Sequence, residues 1–389
     1  MTTRWITVTA ALSLSVSACP SGPPDPGPPD GWPYDTTDTP ADTSPDSPPD
    51  TPPDEVEPDD VAGDEGEATD GAADEGGFED GEEDDAGDDA PACVDDDGDG
   101  YGVGCALGDD CDDAAAGIAG PCEADGCPVG WVLIPAGDFE MGCNVGEPCD
   151  DVHPAAPRHT VTLSAYCIQR TEASVAEYRA CREAGACTGA AESVTVNSLN
   201  NWSDSPAERE AHPINGVNWH NARNFCQDWV GGDLPSEAQW ERAARGTDRR
   251  RFPWGDTPVP DCNRTNFDVN GTTAGQGCAS VVTGPVTWPA NEPVTGAGDS
   301  PAGMRNAVGN VFEWTLDCMR ADAYERCATG CTDPVVDLDT CDPGSRTVRG
   351  GSYMEIGTDW LRTVSRSGVL PMARYSILGF RCVRPPPEP

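Results

Sequence analysis

The carboxylates of Glu355 and Asp359 lie four residues apart, just downstream of Gly350-Gly351-Ser352. One carboxylate sheltered in a cleft, with a second beside it, is enough for general-base chemistry. A solvated loop also carries acids at this spacing. Asp95, Asp97 and Asp99 alternate within Asp95-Asp96-Asp97-Gly98-Asp99-Gly100-Tyr101. They match positions 1, 3 and 5 of a calcium loop, with Gly100 at the sharp turn and the Tyr101 carbonyl at position 7. The twelfth position is Ala106, so the usual bidentate Glu is absent, and Asp109-Asp110-Cys111-Asp112-Asp113 follows closely enough to supply oxygens. A disulfide-tied acidic linker that binds nothing is the plainer reading. His153, His159, His212 and His220 are scattered, and no iron site is expected from them. The chain has no lysine, which excludes a lysine nucleophile or Schiff base. It has no Gly-x-Ser-x-Gly elbow and no phosphate loop.

These groups sit in an uneven chain of 389 residues with a formal charge of −46. Residues 20–92 carry 26 acids and no base, and residues 93–130 carry 10 more acids, again with no base. Nothing in that charge distribution could neutralise phosphates, so nucleic acid is not an expected partner. Residues 1–19 read as an export signal: Arg4, the short apolar run Ile6 to Leu14, then Val16-Ser17-Ala18-Cys19. Small residues before a cysteine match a bacterial lipobox, so Cys19 is the expected lipidation site and the membrane anchor. An ordinary cleavage site with an incidental cysteine is the alternative. Setting Cys19 aside leaves eighteen cysteines of nineteen, a dense even set that implies disulfides in an exported chain. Cys327 and Cys331 read as one such local loop rather than a thiolate metal site.

Residues 20–92 alternate Pro, Asp, Thr and Ser, then Gly, Asp, Glu and Ala. With almost no large apolar side chains, the segment predicts a disordered acidic stalk. Residues 93–127 form a small Cys-bounded, Asp-rich calcium-type module. The folded domain is expected from Trp131. Residues 132–142 read as a hairpin turning at Pro135-Ala136-Gly137, and His159-Thr160-Val161-Thr162-Leu163 alternates as a strand. Ser174-Val175-Ala176-Glu177 is a capping box that opens a helix running to about Gly185. Ala222, Phe225, Cys226 and Trp229 share one helical face, and Gly231-Gly232 is expected to end that helix. Ser236-Glu237-Ala238-Gln239 opens a helix carrying Trp240, Ala243 and Ala244, and Gly246 stops it. Beyond that, long Gly, Pro, Asp and Thr loops predominate. Arg362, Arg366, Arg374 and Arg381 punctuate the C-terminus. They read as partners of core carboxylates, or alternatively as the lining of a groove for an acidic ligand.

Four ordered segments carry a resemblance. They are Leu234 to Gly246 (LPSEAQWERAARG), Phe252-Pro253-Trp254-Gly255, Gly309-Asn310-Val311-Phe312-Glu313-Trp314, and Arg349-Gly350-Gly351-Ser352 with its downstream Gly379-Phe380-Arg381-Cys382. Their order and spacing resemble the sulfatase-modifying factor family, founded by the formylglycine-generating enzyme, over residues 131–384. The resemblance implies an irregular, loop-rich α+β fold related to the C-type lectins. It implies calcium on Asn306, Gly309, Val311 and Glu313, although by residue type alone Glu313 is an exposed charge. A second site would begin at Asn266-Phe267, but its later acidic ligand has no match. Cys226 and Cys382 match a family disulfide. The partners of a second one fall on Ala244 and Ser365, so that bond is absent. Cys181–Cys187 and Cys262–Cys278 read as local loops. The Asp95–Tyr101 segment itself resembles thrombospondin type 3 repeats.

The family's oxidase holds copper(I) on two thiolates just after the Gly-Gly-Ser turn. Those positions hold Glu355 and Trp360 here. Soft copper(I) requires sulfur, so copper and formylglycine formation are not expected. Ser352 falls on a serine lining the family's active site and more simply supports the turn. The expected function is an exported, lipid-anchored surface protein whose domain binds an exported peptide, protein or glycan, or serves a structural role. The alternative is a divergent oxidoreductase or maturation factor of the same family.

Overall fold

The computed structural model describes residues 94–386 except 99–100, 103–104, 106–109, 113, 119, 145–154, 188–198, 204–208, 270–276, 279–286, 294, 338–340 and 342–343. The expected export signal with Cys19, the stalk, Asp99 and His153 lie outside the described residues. In chain order the elements begin with β1 (Trp131–Ile134), β2 (Gly137–Met141), β3 (His159–Leu163), β4 (Tyr166–Gln169), α1 (Val175–Glu183), α2 (Trp219–Asp228) and α3 (Glu237–Arg245). They continue with β5 (Phe312–Cys318), α4 (Ala323–Arg326), β6 (Cys331–Thr332), β7 (Arg346–Arg349), β8 (Arg366–Val369), β9 (Leu378–Gly379) and β10 (Val383–Arg384). No helix among the described residues is long and apolar enough to cross a membrane.

The strands form three small sheets, ordered β1-β4-β10, β2-β3-β6 and β8-β7-β5-β9. The hairpin expected over 132–142 does not form. β1 pairs antiparallel with β4, and β2 pairs antiparallel with β3. Pro135-Ala136 therefore moves the chain from one sheet to the next. The residue pattern gives two strands and a turn, but it does not specify the partner. β4 runs between β1 and β10, so the start and end of the domain meet on one strand.

The helices form where their caps predict. Ser174 accepts a hydrogen bond from the Glu177 amide while the Glu177 side chain returns to the Ser174 backbone, and Ser236 with Gln239 repeats the arrangement. Gly246 takes a positive φ of 73° and ends α3. α2 stops at Asp228, one residue before Trp229. Trp229 is half-buried and Val230 takes the buried position instead. Trp219, in the first turn of α2, supplies the large buried ring missing from the expected apolar face.

α3 buries both kinds of side chain. Ala238, Trp240, Ala243 and Ala244 enter the apolar core with Phe139, Tyr166 and Ile168. Glu237, Glu241 and Arg245, spaced i, i+4 and i+8, are also buried and need partners. Arg349 of β7 donates to Glu237 at 2.9 Å and Glu241 at 2.7 Å, and Arg366 of β8 holds Glu237 with two bonds of 2.6 Å. Arg245 completes the chain on Glu241 at 2.9 Å. Burial pushes the Glu241 carboxyl up, but Arg349 and Arg245 outweigh it and hold the group below its ordinary range. Arg366 thus pairs with a core carboxylate, while Arg374 donates to the Asn221 side chain and Arg362 to the Asp359 carbonyl.

All sixteen described cysteines are disulfide-bonded. Cys226–Cys382, Cys181–Cys187, Cys262–Cys278 and Cys327–Cys331 are joined, as are the unassigned Cys111–Cys122, Cys127–Cys167 and Cys318–Cys341. The acidic N-terminal module packs on the domain. Asp112 pairs with Arg384, and the Gly117 amide donates to the Trp229 carbonyl at 2.9 Å.

Candidate functional site

Two backbone turns meet at the candidate site. The Gly309 amide donates to the Gly350 carbonyl at 2.8 Å, and the Tyr353 amide to the Asn310 carbonyl at 2.9 Å. Gly350 sits at φ +92°, and a Cβ there would lie 2.8 Å from the Ala307 carbonyl oxygen. Only glycine permits that approach. The Gly-Gly-Ser turn and the segment 306–313 are therefore one structural unit.

On the first turn, Ser352 is fully buried. Its hydroxyl accepts from the Met354 amide at 3.2 Å and makes a long bond of 3.4 Å to Glu355. Through the Met354 amide the hydroxyl braces the turn. Glu355 is half-buried, and its backbone carbonyl accepts from the Asp268 amide at 3.0 Å. Burial pushes its carboxyl up to about 7, with the Ser352 hydroxyl pulling the other way. Asp359 is exposed, and its backbone carbonyl accepts from the Ser365 hydroxyl and the Arg362 guanidinium. Trp360 is half-buried and meets Phe312 edge-on at 6.0 Å.

The raised Glu355 carboxyl has a stability consequence with a definite sign. The unfolded group ionises near 4.5 and the folded one near 7. The folded chain therefore binds the proton more tightly, and stability falls as pH rises through that window. Glu355→Gln should raise stability at pH 8 by about 1–3 kcal/mol and leave it unchanged at pH 4. Urea unfolding at the two pH values measures both effects, and equal shifts at both would refute the account.

On the second turn, Glu313 is not the exposed charge its residue type suggests. It is the second residue of β5 and is fully buried. Arg381 holds both of its oxygens at 2.6 Å, and the Trp240 indole donates to one of them at 2.8 Å. Asn306 and Asn310 both take left-handed backbone, φ 49° and 60°. The Asn306 side-chain nitrogen donates to Glu172 at 3.2 Å and to the Ala290 carbonyl at 3.1 Å. Its carbonyl oxygen Oδ1 is buried and has no hydrogen-bond partner among the described residues. Glu172, just beyond β4, accepts from the Asn310 side chain at 2.9 Å. Burial pushes the Glu172 carboxyl up to about 7. Arg381 opposes that shift and Glu313 adds to it. Arg381 thus binds Glu313 directly and acts on Glu172 only through its charge. Sequence reasoning missed Glu172 and Asn310. Only the Asn within Gly309-Asn310-Val311 gave a signal, since left-handed backbone favours Asn after Gly.

Of the other candidates, Asn266 adjoins this turn, its carbonyl accepting from the Asn310 amide at 2.9 Å. Asn266 is buried and already engaged, accepting from the Cys278 amide at 2.9 Å and lying 3.4 Å from Asn310. Phe267 packs in the apolar core. Among the described part of the calcium-type module, Asp95 accepts from the Gly98 amide at 2.7 Å, while Asp97 and Tyr101 are half-buried. Burial pushes the His212 imidazole down to about 4, and its Nδ1 sits 2.9 Å from the Thr287 hydroxyl. His159 packs edge-on against Tyr324. No group of three or more His, Cys, Asp or Glu side chains clusters like a metal site among the described residues.

Small sheets, capped helices and long disulfide-tied loops, joined through a Gly-Gly-Ser turn, define a loop-rich α+β domain of the formylglycine-generating-enzyme type. Residues 123–386 match the Sulfatase-modifying factor enzyme 1-like domain, and the chain belongs to that family. It is 30% identical over 318 residues to the formylglycine-generating enzyme of Streptomyces coelicolor, covering 69% of this chain and 93% of that one. It is 28% identical over 265 residues to the serine/threonine-protein kinase Pkn1 of Chlamydia trachomatis, spanning 65% of this chain and 38% of the kinase. Among solved structures it is similar to PvdO from Pseudomonas aeruginosa, with a TM-score of 0.48 and 19% identity over 66% of this chain and 94% of that one.

Proposed function

We propose that this family member is a non-oxidase surface protein, exported and lipid-anchored through Cys19, whose domain binds an exported peptide, protein or glycan. The observation that carries this reading is the lack of free thiols among the described residues. The positions just after the Gly-Gly-Ser turn hold Glu355 and Trp360, and every described cysteine is in a disulfide. Copper(I) needs soft sulfur ligands, so these residues do not fit the family's metal and no copper step is derived. Disulfides at this density persist in oxidising compartments, which supports export.

The residues around Asn306 do fit a calcium ion. Asn306 Oδ1 is a buried oxygen with no hydrogen-bond partner among the described residues, and the Glu172 carboxyl that holds the Asn306 amide nitrogen is buried as well. Calcium takes oxygen ligands from carbonyls and carboxylates. Asn306, Glu313 and the carbonyls of Gly309 and Val311 would hold it. When bound, it would add positive charge and brace the segment that carries the Gly-Gly-Ser turn. The chain's own residues supply the remaining order: Arg381 neutralises Glu313, and Gly309 fixes the two turns together.

The deciding experiment incubates the full chain with a Cys-x-Pro-x-Arg peptide, copper, reductant and oxygen, and reads the peptide by mass spectrometry beside an active family oxidase. The expected result is an unmodified cysteine. Formylglycine in the peptide would refute the reading and favour the maturation-factor alternative.

A further inference from the structure

We infer that Glu172 is a positioning residue for calcium, holding the Asn306 carboxamide so that its oxygen faces the ion. The inference rests on the calcium reading above and adds a residue to it. A carboxamide can present either end to a metal, and nothing in the Asn306 backbone selects one. The neighbours select it. Glu172 Oε2 and the Ala290 carbonyl both accept from Asn306 Nδ2, at 3.2 and 3.1 Å. The Ala290 carbonyl cannot donate, nor can Glu172 when ionised, so the nitrogen faces them and Oδ1 faces away. Oδ1 is the atom left buried without a partner. Glu172 is itself held at its other oxygen by Asn310 Nδ2, at 2.9 Å. Asn310 is fixed in turn by the Trp288 amide, which donates to its side-chain oxygen at 2.8 Å.

The carboxylate itself is not placed to bind the ion. Its two oxygens each accept from an amide nitrogen, that of Asn306 and that of Asn310. It acts through Asn306, as outer-shell groups act on the ligands they orient. A neutral amide at position 172 would lose this selection. A glutamine side chain there could turn its own nitrogen toward Asn306, which would then rotate and present –NH2 to the ion.

The experiment titrates calcium chloride into the chelator-treated full chain by calorimetry. The Asn306→Gly variant, which tolerates the φ of 49°, marks the heat belonging to this site. Glu172→Gln should weaken that calcium binding by about 10–100-fold. Its melting temperature in chelator should stay close to that of the parent chain. Glu172→Asp keeps the charge but shortens the reach, and should give a loss between the two. A purely structural Glu172 would give the reverse: a lower melting temperature in chelator with unchanged calcium affinity. That result would overturn the inference and leave the calcium site standing. A parent chain whose heat equals that of Asn306→Gly would overturn the site and the inference together. If Glu172→Gln does not fold, Glu172→Asp decides, and parental affinity in that variant refutes the positioning role.

Discussion

Arg381→Ala should lower the unfolding free energy by about 3–5 kcal/mol in calcium-free buffer. The substitution leaves Glu313 charged, fully buried and without its cation. It also removes the bonds that Arg381 makes at 2.8–3.0 Å to three backbone carbonyls, of Gln169, Arg170 and Arg305. A domain of ordinary stability has about 5–15 kcal/mol to lose, so a third or more is at stake. The origin of the loss can be separated. If the cost comes from the stranded charge, Glu313→Gln combined with Arg381→Met should recover at least half of it. Gln still accepts from the Trp240 indole, and Met fills much of the space. Urea unfolding of the single and double variants beside the parent measures this, and a single-variant loss below about 1 kcal/mol would show that the pair is incidental.

Removing Cys226–Cys382 should cost nearly as much for a different reason. The bond closes a loop with a sequence separation of 156, and both cysteines are fully buried. Cross-linking so long a loop limits the unfolded chain by about 5 kcal/mol in the chain-entropy account. Cys181–Cys187 has a separation of 6 and by the same account contributes about 2 kcal/mol. Paired alanine variants at the two sites should therefore differ by about 3 kcal/mol in denaturant unfolding. Equal losses would mean that native packing, not loop closure, sets the contribution.

Local signals in the sequence were reliable because their physics is local. The capping boxes at Ser174 and Ser236 and the stop at Gly246 need only neighbouring residues. The family segments located the two facing turns. What stayed hidden depends on distant partners. Pro135-Ala136 looks like a hairpin turn, yet β2 pairs with β3 because the hydrogen-bonding edge is available there. Glu313 looks like a surface charge until Arg381, 68 residues later, reaches it. Glu172 carries no motif at all. Its role comes from Asn306 and Asn310, more than 130 residues downstream. The Asp95–Tyr101 pattern is legible as spacing, and Asp99 within it lies outside the described residues.

The Cys127–Cys167 bond also sets how the domain carries mechanical load. Tension arriving along the chain from the N-terminal side reaches Cys127 and crosses covalently to Cys167 in β4. The intervening residues 128–166, which hold β1, β2 and β3, are bypassed. Force then enters at the strand flanked by β1 and β10, where the hydrogen bonds of both neighbours resist it together in shear. The domain could thus be pulled from that end without its first strands peeling away, whereas a reduced chain would unravel from Trp131 onward.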